Sequence, residues 1–128
     1  MKRIKIVIIP IIAAVIILIV LRTILFVGYV PSTSMEPTFH KDSIIFGIRK
    51  FRRLEKRDIV IFRHEGKLLV KRIIGVAGER IRLYDRVYFV PKDNYLMLGD
   101  NLMDSYDSRY WDNPYVSKDD ILAKVIDY

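Results

Sequence analysis

Ile59-Val60-Ile61-Phe62-Arg63-His64-Glu65-Gly66-Lys67-Leu68-Leu69-Val70-Lys71-Arg72-Ile73-Ile74-Gly75-Val76 is the stretch that decides the fold. Its two runs, Ile59–Arg63 and Lys67–Val76, are rich in the β-branched and aromatic residues that suit a pleated, half-buried surface. His64-Glu65-Gly66 between them is a turn signal, so the stretch reads as a β-hairpin. Gly75 and Gly78 mark a bend or bulge near its end.

On either side the same pattern continues. Ser43–Ile48, Arg80–Leu83, Val87–Val90, Tyr95–Leu98 and Ile121–Ile126 are further short strands, and no long segment repeats its apolar residues every 3.6 positions. The fold class is therefore mainly β. Asp100–Pro114 interrupts the pattern with polar residues and a few large aromatics, and long polar loops in small domains tend to carry function.

The N-terminus follows a different rule. Ile6 to Leu21 holds no charged or strongly polar side chain, and the apolar character resumes over Ile24–Val27. As a helix, residues 6–27 would reach roughly 33 Å, enough to cross a hydrocarbon core of about 30 Å. Arg22 would snorkel to the far interface, and Pro10 lies near the start, where a helix tolerates proline best. Lys2, Arg3 and Lys5 precede the span, whereas only Arg22 follows it before Lys41. The positive-inside rule then assigns residues 1–5 to the cytoplasm, 6–27 to a single-pass transmembrane anchor and 28–128 to an extracytoplasmic domain. A cleavable signal peptide is the competing reading. It is disfavoured because the apolar stretch exceeds the usual 7–15 or so residues and no small-x-small site follows Val20.

The 128 residues include no cysteine, which excludes a disulfide framework, a thiolate nucleophile and a Cys-ligated zinc site. The net charge of +7 sits mainly beyond the anchor, in Arg49-Lys50, Arg52-Arg53, Lys56-Arg57, Lys71-Arg72 and Arg80–Arg86. Such charge near a bilayer favours anionic headgroups, and equally describes a solvated basic surface.

Directly after the anchor comes Val30-Pro31-Ser32-Thr33-Ser34-Met35-Glu36-Pro37-Thr38-Phe39, two serines on a backbone stiffened by flanking prolines. It reads as a Ser/Thr-rich linker or as the seat of a nucleophile. A serine hydroxyl needs a base. His40 and His64 lie in charged, turn-like contexts and read as solvated histidines, and there is no Gly-x-Ser-x-Gly elbow. Lys71 alternates with Leu69 and Ile73 along one strand face. If that face is buried, its ammonium is disfavoured and a neutral amine becomes available as general base; on an exposed edge strand it would snorkel. Gly99-Asp100-Asn101 and Ser105-Tyr106-Asp107-Ser108-Arg109 add hydroxyls and an Asp–Arg pair able to orient an amine and tie a loop.

Together and in this order, residues 31–38, Arg57–Phe62, Val70–Glu79 and Gly99–Trp111 resemble the type I signal peptidases, Ser/Lys-dyad serine proteases of the bacterial cytoplasmic membrane. The resemblance implies an antiparallel, barrel-like β catalytic domain with an apolar surface resting on the membrane. It implies Ser34 as nucleophile, Lys71 as general base, Ser32 and the Ser34 N–H as oxyanion hole, and Ser105 as hydrogen-bond partner of the lysine. Asp107 and Arg109 would support the site structurally, and Met35 would line it. It further implies cleavage of signal peptides of exported preproteins after a small-x-small motif, with membrane lipids as the other partner and no cofactor, metal or nucleic acid.

The chain departs from the family pattern at Thr33, where some members have glycine, and at Arg57-Asp58, Leu102-Met103-Asp104 and Asp112. The segment between Glu79 and Pro91 is also short. Two other functions fit parts of the sequence: a dedicated processing peptidase for pilin, conjugation or surface proteins with the same dyad, and a catalytically inert anchored basic β module. A self-cleaving repressor would need a DNA-binding domain where this chain has an apolar span.

Overall fold

The computed structural model describes residues 1–126 and 128. Helix α1 spans Lys2–Ile24. Among the described residues nine strands follow: β1 Leu25–Tyr29, β2 Ile44–Ile48, β3 Ile59–His64, β4 Lys67–Val76, β5 Arg80–Leu83, β6 Arg86–Phe89, β7 Asn94–Leu98, β8 Tyr115–Ser117 and β9 Ile121–Val125. Seven form an antiparallel sheet in the order β1-β2-β9-β3-β4-β7-β8, and β5 and β6 form a separate ribbon. The mainly β fold with one N-terminal apolar helix is as the sequence implies.

β3 is central because its sequence is apolar on both faces. Ile59 and Ile61 pack with Met35, Phe39, Ile45, Ala123 and Val125, whereas Val60 and Phe62 pack with Leu54, Ile73, Met97, Trp111 and Ile121. One strand thus contributes to two cores, one on each side of the sheet. The β3–β4 hairpin turns at Glu65 (φ 48°) and Gly66 (φ 76°), the left-handed pair that a two-residue connection between twisted strands requires. The register slips between Ile73 and Gly75 where β4 meets β7, so the expected bulge lies at Ile73–Gly75.

Registered pairs link the end of the apolar helix to the middle of the domain. Leu25 lies opposite Ile48, Ile48 opposite Lys124, Lys124 opposite Val60, and Val60 opposite Lys71. The sheet curls along this row, because β1 and the first half of β4 line the same cleft although three strands separate them in sheet order. β7 pairs with β4 only from Arg72 onward, leaving Lys67–Lys71 an open edge.

Three expectations are corrected. The helix stops at Ile24 rather than Val27, because Leu25–Tyr29 pairs along its length with β2 and that ladder outweighs continuation of an apolar helix. The helix also begins at Lys2, so Pro10 lies within it instead of in its first turn. Finally, Tyr115–Ser117 is a strand, paired with Asn94–Leu96, although three residues give too little alternation to read. From Arg3 to Ile24 the helix is exposed along its length, and it is long and apolar enough to cross a membrane. The outward face of the adjoining β1–β2 pair also exposes Val27, Tyr29, Ile44 and Phe46.

Phe62 is fully buried and packs edge-on against Trp111, with ring centroids 6.0 Å apart. Phe62→Ala is expected to destabilise the domain by about 3–5 kcal/mol, read from urea unfolding.

Candidate active site

The segment after β1 folds into tight turns around a buried peg. Met35 is fully buried and Phe39 nearly so, and the Phe39 N–H bonds to the Met35 carbonyl at 2.9 Å. Met35 thereby fixes the residue before it, Ser34, whose side chain is held at the margin of the core with 8% exposure. The Ser34 carbonyl accepts the Asn101 N–H at 2.9 Å, and the Thr33 carbonyl accepts the Asn101 side-chain amide at 3.1 Å. The Thr33 hydroxyl is hydrogen-bonded to Asp104. The backbone around Ser34 is thus tied to the loop that follows β7.

Lys71 reaches the same point from β4. It stands between Leu69 and Ile73, is 4% exposed, and has its Nζ 2.7 Å from Ser34 Oγ. Burial lowers its pKa from the ordinary 10.5, with Arg109 adding to the effect and Asp107 and Asp100 opposing it. Ser32 Oγ lies 3.1 Å from Ser34 Oγ and 3.5 Å from the Ser34 N–H. Ser34, Lys71 and Ser32 therefore converge, as sequence reasoning brought them together.

Ser105 does not. Its hydroxyl donates to Asp107 Oδ2 at 2.8 Å, and among the described residues the hydrogen-bond partner of the Lys71 amine is Ser34. Among the described residues no Ser105–Lys71 hydrogen bond is formed: the Ser105 proton goes to Asp107, two residues away, and the lysine amine goes to Ser34. Asp107 is the hub of its loop. It is fully buried, takes Arg109 in a two-pronged pair at 2.8 and 3.0 Å, and accepts the Gly99 N–H at 2.9 Å. Arg109 also donates to the Leu102 carbonyl at 3.1 Å, closing the loop on itself. Removing one partner of such a buried pair costs about 3–5 kcal/mol.

A second Asp–Arg pair, not singled out as part of the site in the sequence, borders it from the other side. Arg72 grips Asp100 through Nε and Nη2 at 2.8 and 2.7 Å, and the Thr38 hydroxyl bonds the same carboxylate at 2.5 Å. Burial works against the Asp100 carboxylate, yet the Arg72 and Thr38 hydrogen bonds and the Arg72 and Lys71 charges hold its pKa below the usual value. The adjacency of Lys71 and Arg72, with Asp100 in the polar loop, was the available signal. Gly99 was another: a Cβ there would lie 2.0 Å from Ser105 Oγ and 2.6 Å from the Ser34 carbonyl oxygen, so only hydrogen fits.

The Ser34–Lys71 pair opens onto a cleft of about 260 Å³, largely apolar, walled by Phe26–Val30 of β1 and its exit, Ile61, and Leu68–Val70 of β4. Met35 contributes to its floor. His40 is exposed, as expected. His64 is not a solvated histidine: it is half-buried and stacked on Trp111 with ring centroids 3.9 Å apart. Among the described residues no group of three or more His, Asp or Glu side chains is placed to hold a metal.

Comparison with known proteins matches the chain to the family described as signal peptidase, peptidase S26, over residues 3–90 and 82–127. It is 32% identical over 131 aligned positions to a probable signal peptidase I-2 of Synechocystis sp., covering 76% of this chain and 59% of that protein. Signal peptidase I of Bacillus amyloliquefaciens is 29% identical, with 77% and 74% covered. The mitochondrial inner membrane protease subunit 1 of Mus musculus is 33% identical over 90 positions, with 61% and 54% covered. The chain thus spans somewhat more than half the length of the first and third of these relatives.

Two outcomes follow from the geometry. Gly99→Ala should destabilise the domain by at least about 1–3 kcal/mol, measured by thermal unfolding, because neither neighbour can withdraw without breaking a hydrogen bond. Lys71 should also leave a signature in the pH dependence of stability. Its folded pKa is below 10.5, so between the two values the unfolded state binds more protons and stability rises with pH. Lys71→Met should therefore be more stable than the parent near neutral pH. The gap should narrow as pH rises through the folded pKa and level off above 10.5.

Proposed function

The chain belongs to the signal peptidase S26 family, and from that membership we propose that it is a membrane-bound serine endopeptidase that cleaves signal peptides from exported preproteins, with Ser34 as nucleophile and Lys71 as general base. The observation that carries this reading is the 2.7 Å contact between the Ser34 hydroxyl and an amine buried to 4% exposure.

Neutral Lys71 takes the Ser34 proton as Oγ attacks the scissile carbonyl. The developing oxyanion is met by the Ser34 N–H and by the Ser32 hydroxyl, which turns from Ser34 Oγ toward the new charge; each such donor is worth about 10²–10³ in rate. The Lys71 ammonium then protonates the leaving amine. In the second half, Lys71 draws a proton from water, which attacks the acyl ester and releases Ser34.

Both carboxylates whose charge reaches Lys71 are committed elsewhere, Asp107 to Arg109 and Asp100 to Arg72. Neither forms an ion pair that would hold the lysine protonated. Ser105 acts in this scheme through Asp107 and the packing of Gly99, which together brace the Ser34 carbonyl.

The cleft supports an extended peptide as substrate. Its walls include the outer edge of β1 and the open Lys67–Lys71 edge of β4, so unpaired backbone groups face it from both sides. A mostly apolar cleft of about 260 Å³ accommodates small side chains, in keeping with a small-x-small motif. In this proposal α1 is the anchor in the bacterial cytoplasmic membrane, residues 1–5 are inside, and the β domain that follows is outside.

Ser34→Ala and Lys71→Ala should each abolish cleavage of a preprotein by the full chain in detergent or liposomes while the circular dichroism of the β domain is retained. Normal processing by both variants would overturn the assignment. Parent activity should rise with pH as Lys71 loses its proton, and a flat profile from about pH 6 to 10 would exclude the amine as base.

A further inference from the structure

The segment between β2 and β3, Arg49-Lys50-Phe51-Arg52-Arg53-Leu54-Glu55-Lys56-Arg57-Asp58, holds six cations and two acids, of which Asp58 is paired with Lys124 at 3.0 Å. Its side chains divide by type. Leu54 is buried and Phe51 half-buried, both in the core around Phe62 and Trp111, while Arg49, Lys50, Arg52 and Arg53 are exposed. Two apolar pegs thus hold Lys50, Arg52 and Arg53 outward, while Arg49 lies over the Phe26 ring, 4.7 Å from its centroid. Glu55 answers only Arg53, at 3.8 Å on the surface, and Lys50 and Arg52 have no ion-pair partner among the described residues.

The position of this segment gives the charge a partner. The Arg49 N–H donates to the carbonyl of Ile24, the last residue of α1, at 2.7 Å, and its Nε donates to the Leu25 carbonyl at 3.2 Å. The run therefore begins at the end of the apolar helix, where Arg22 adds another cation in the last turn. If α1 crosses a bilayer, Ile24 and Leu25 lie at its surface and Arg49–Arg53 is held at headgroup level by backbone hydrogen bonds. Arg52 and Arg53 also line a concavity of about 250 Å³ with Lys118, whose one acidic wall residue is Asp93.

We propose that Arg49–Arg53 is a docking site for the phosphates of anionic phospholipids, setting the β domain against the bilayer at the exit of α1. The proposal rests on the reading of α1 as an anchor and is independent of the peptidase chemistry. A soluble polyanion could meet the same charges, but covalent continuity with the helix keeps the segment beside lipid phosphate, at a local concentration no dilute solute matches.

The absence of cysteine makes the test direct. Full-length protein carrying Glu55→Cys, labelled with an environment-sensitive fluorophore, is placed in nanodiscs of zwitterionic lipid alone or with 30% phosphatidylglycerol by mole. Co-elution with the discs reports insertion of α1 separately from docking, so failure of the anchor and failure of the site are distinguishable. A blue shift in the anionic discs, reversed by about 1 M salt, is the expected result. The Lys50→Gln, Arg52→Gln, Arg53→Gln triple variant should lose it, the docked-to-undocked ratio falling about fivefold per cation removed. The equal charge change Arg80→Gln, Arg82→Gln, Arg86→Gln on the β5–β6 ribbon should leave it intact. The proposal is overturned if co-eluting protein shows no lipid-dependent shift, if both triple variants lose it equally, or if free glycerophosphoglycerol at millimolar concentration reproduces it in zwitterionic discs.

Discussion

A lysine amine that is to accept a proton from serine must be kept out of water and away from any carboxylate that would hold it charged. Under the Ser34–Lys71 proposal, the rest of this domain can be understood from that constraint. Lys71 meets the first condition by standing on a strand between residues of the core, beside the β3 strand that serves both sides of the sheet. The second is harder, because Asp107 and Asp100 both exert their charge on it. Each aspartate is gripped by its own arginine through two hydrogen bonds, so the amine lies among charges without belonging to an ion pair.

The loop after β7 supplies the other half of the site. β7 ends at Leu98, opposite Arg72, and the next residue lacks a side chain because the Ser34 carbonyl and Ser105 already occupy the space. Asp107 then gathers Gly99, Ser105 and Arg109, while Asn101 holds the carbonyls of Thr33 and Ser34. Positioning of the serine therefore depends on residues almost seventy positions later, and the Thr33–Asp104 contact joins two places where this chain differs from the family pattern.

Much of this was legible in the sequence because it depended on local alternation. Leu69, Lys71 and Ile73 share a parity, which put the lysine on an apolar face, and the serine motif favoured the buried reading over an exposed edge. The β3–β4 hairpin announced itself through Glu65-Gly66 and β-branched flanks. What stayed hidden depended on partners. Leu25–Tyr29 is as compatible with a helix as with a strand, and only the ladder with β2 decides between them. Ser105 follows the polar Gly99-Asp100-Asn101 turn in sequence, and only the folded loop shows that its proton goes to Asp107. His64 looked solvated because its stacking partner, Trp111, is 47 residues away in the chain.

The helix passes into β1 without an intervening linker residue, Ile24 ending one element and Leu25 starting the next. β1 is also a wall of the cleft, so the apolar helix and the cleft share one continuous piece of backbone. Under the proposed function, a peptide arriving as a membrane helix would unwind at the height where this chain itself changes from helix to strand. In that proposal the chain's own backbone is a template for the conformational step the peptide has to make.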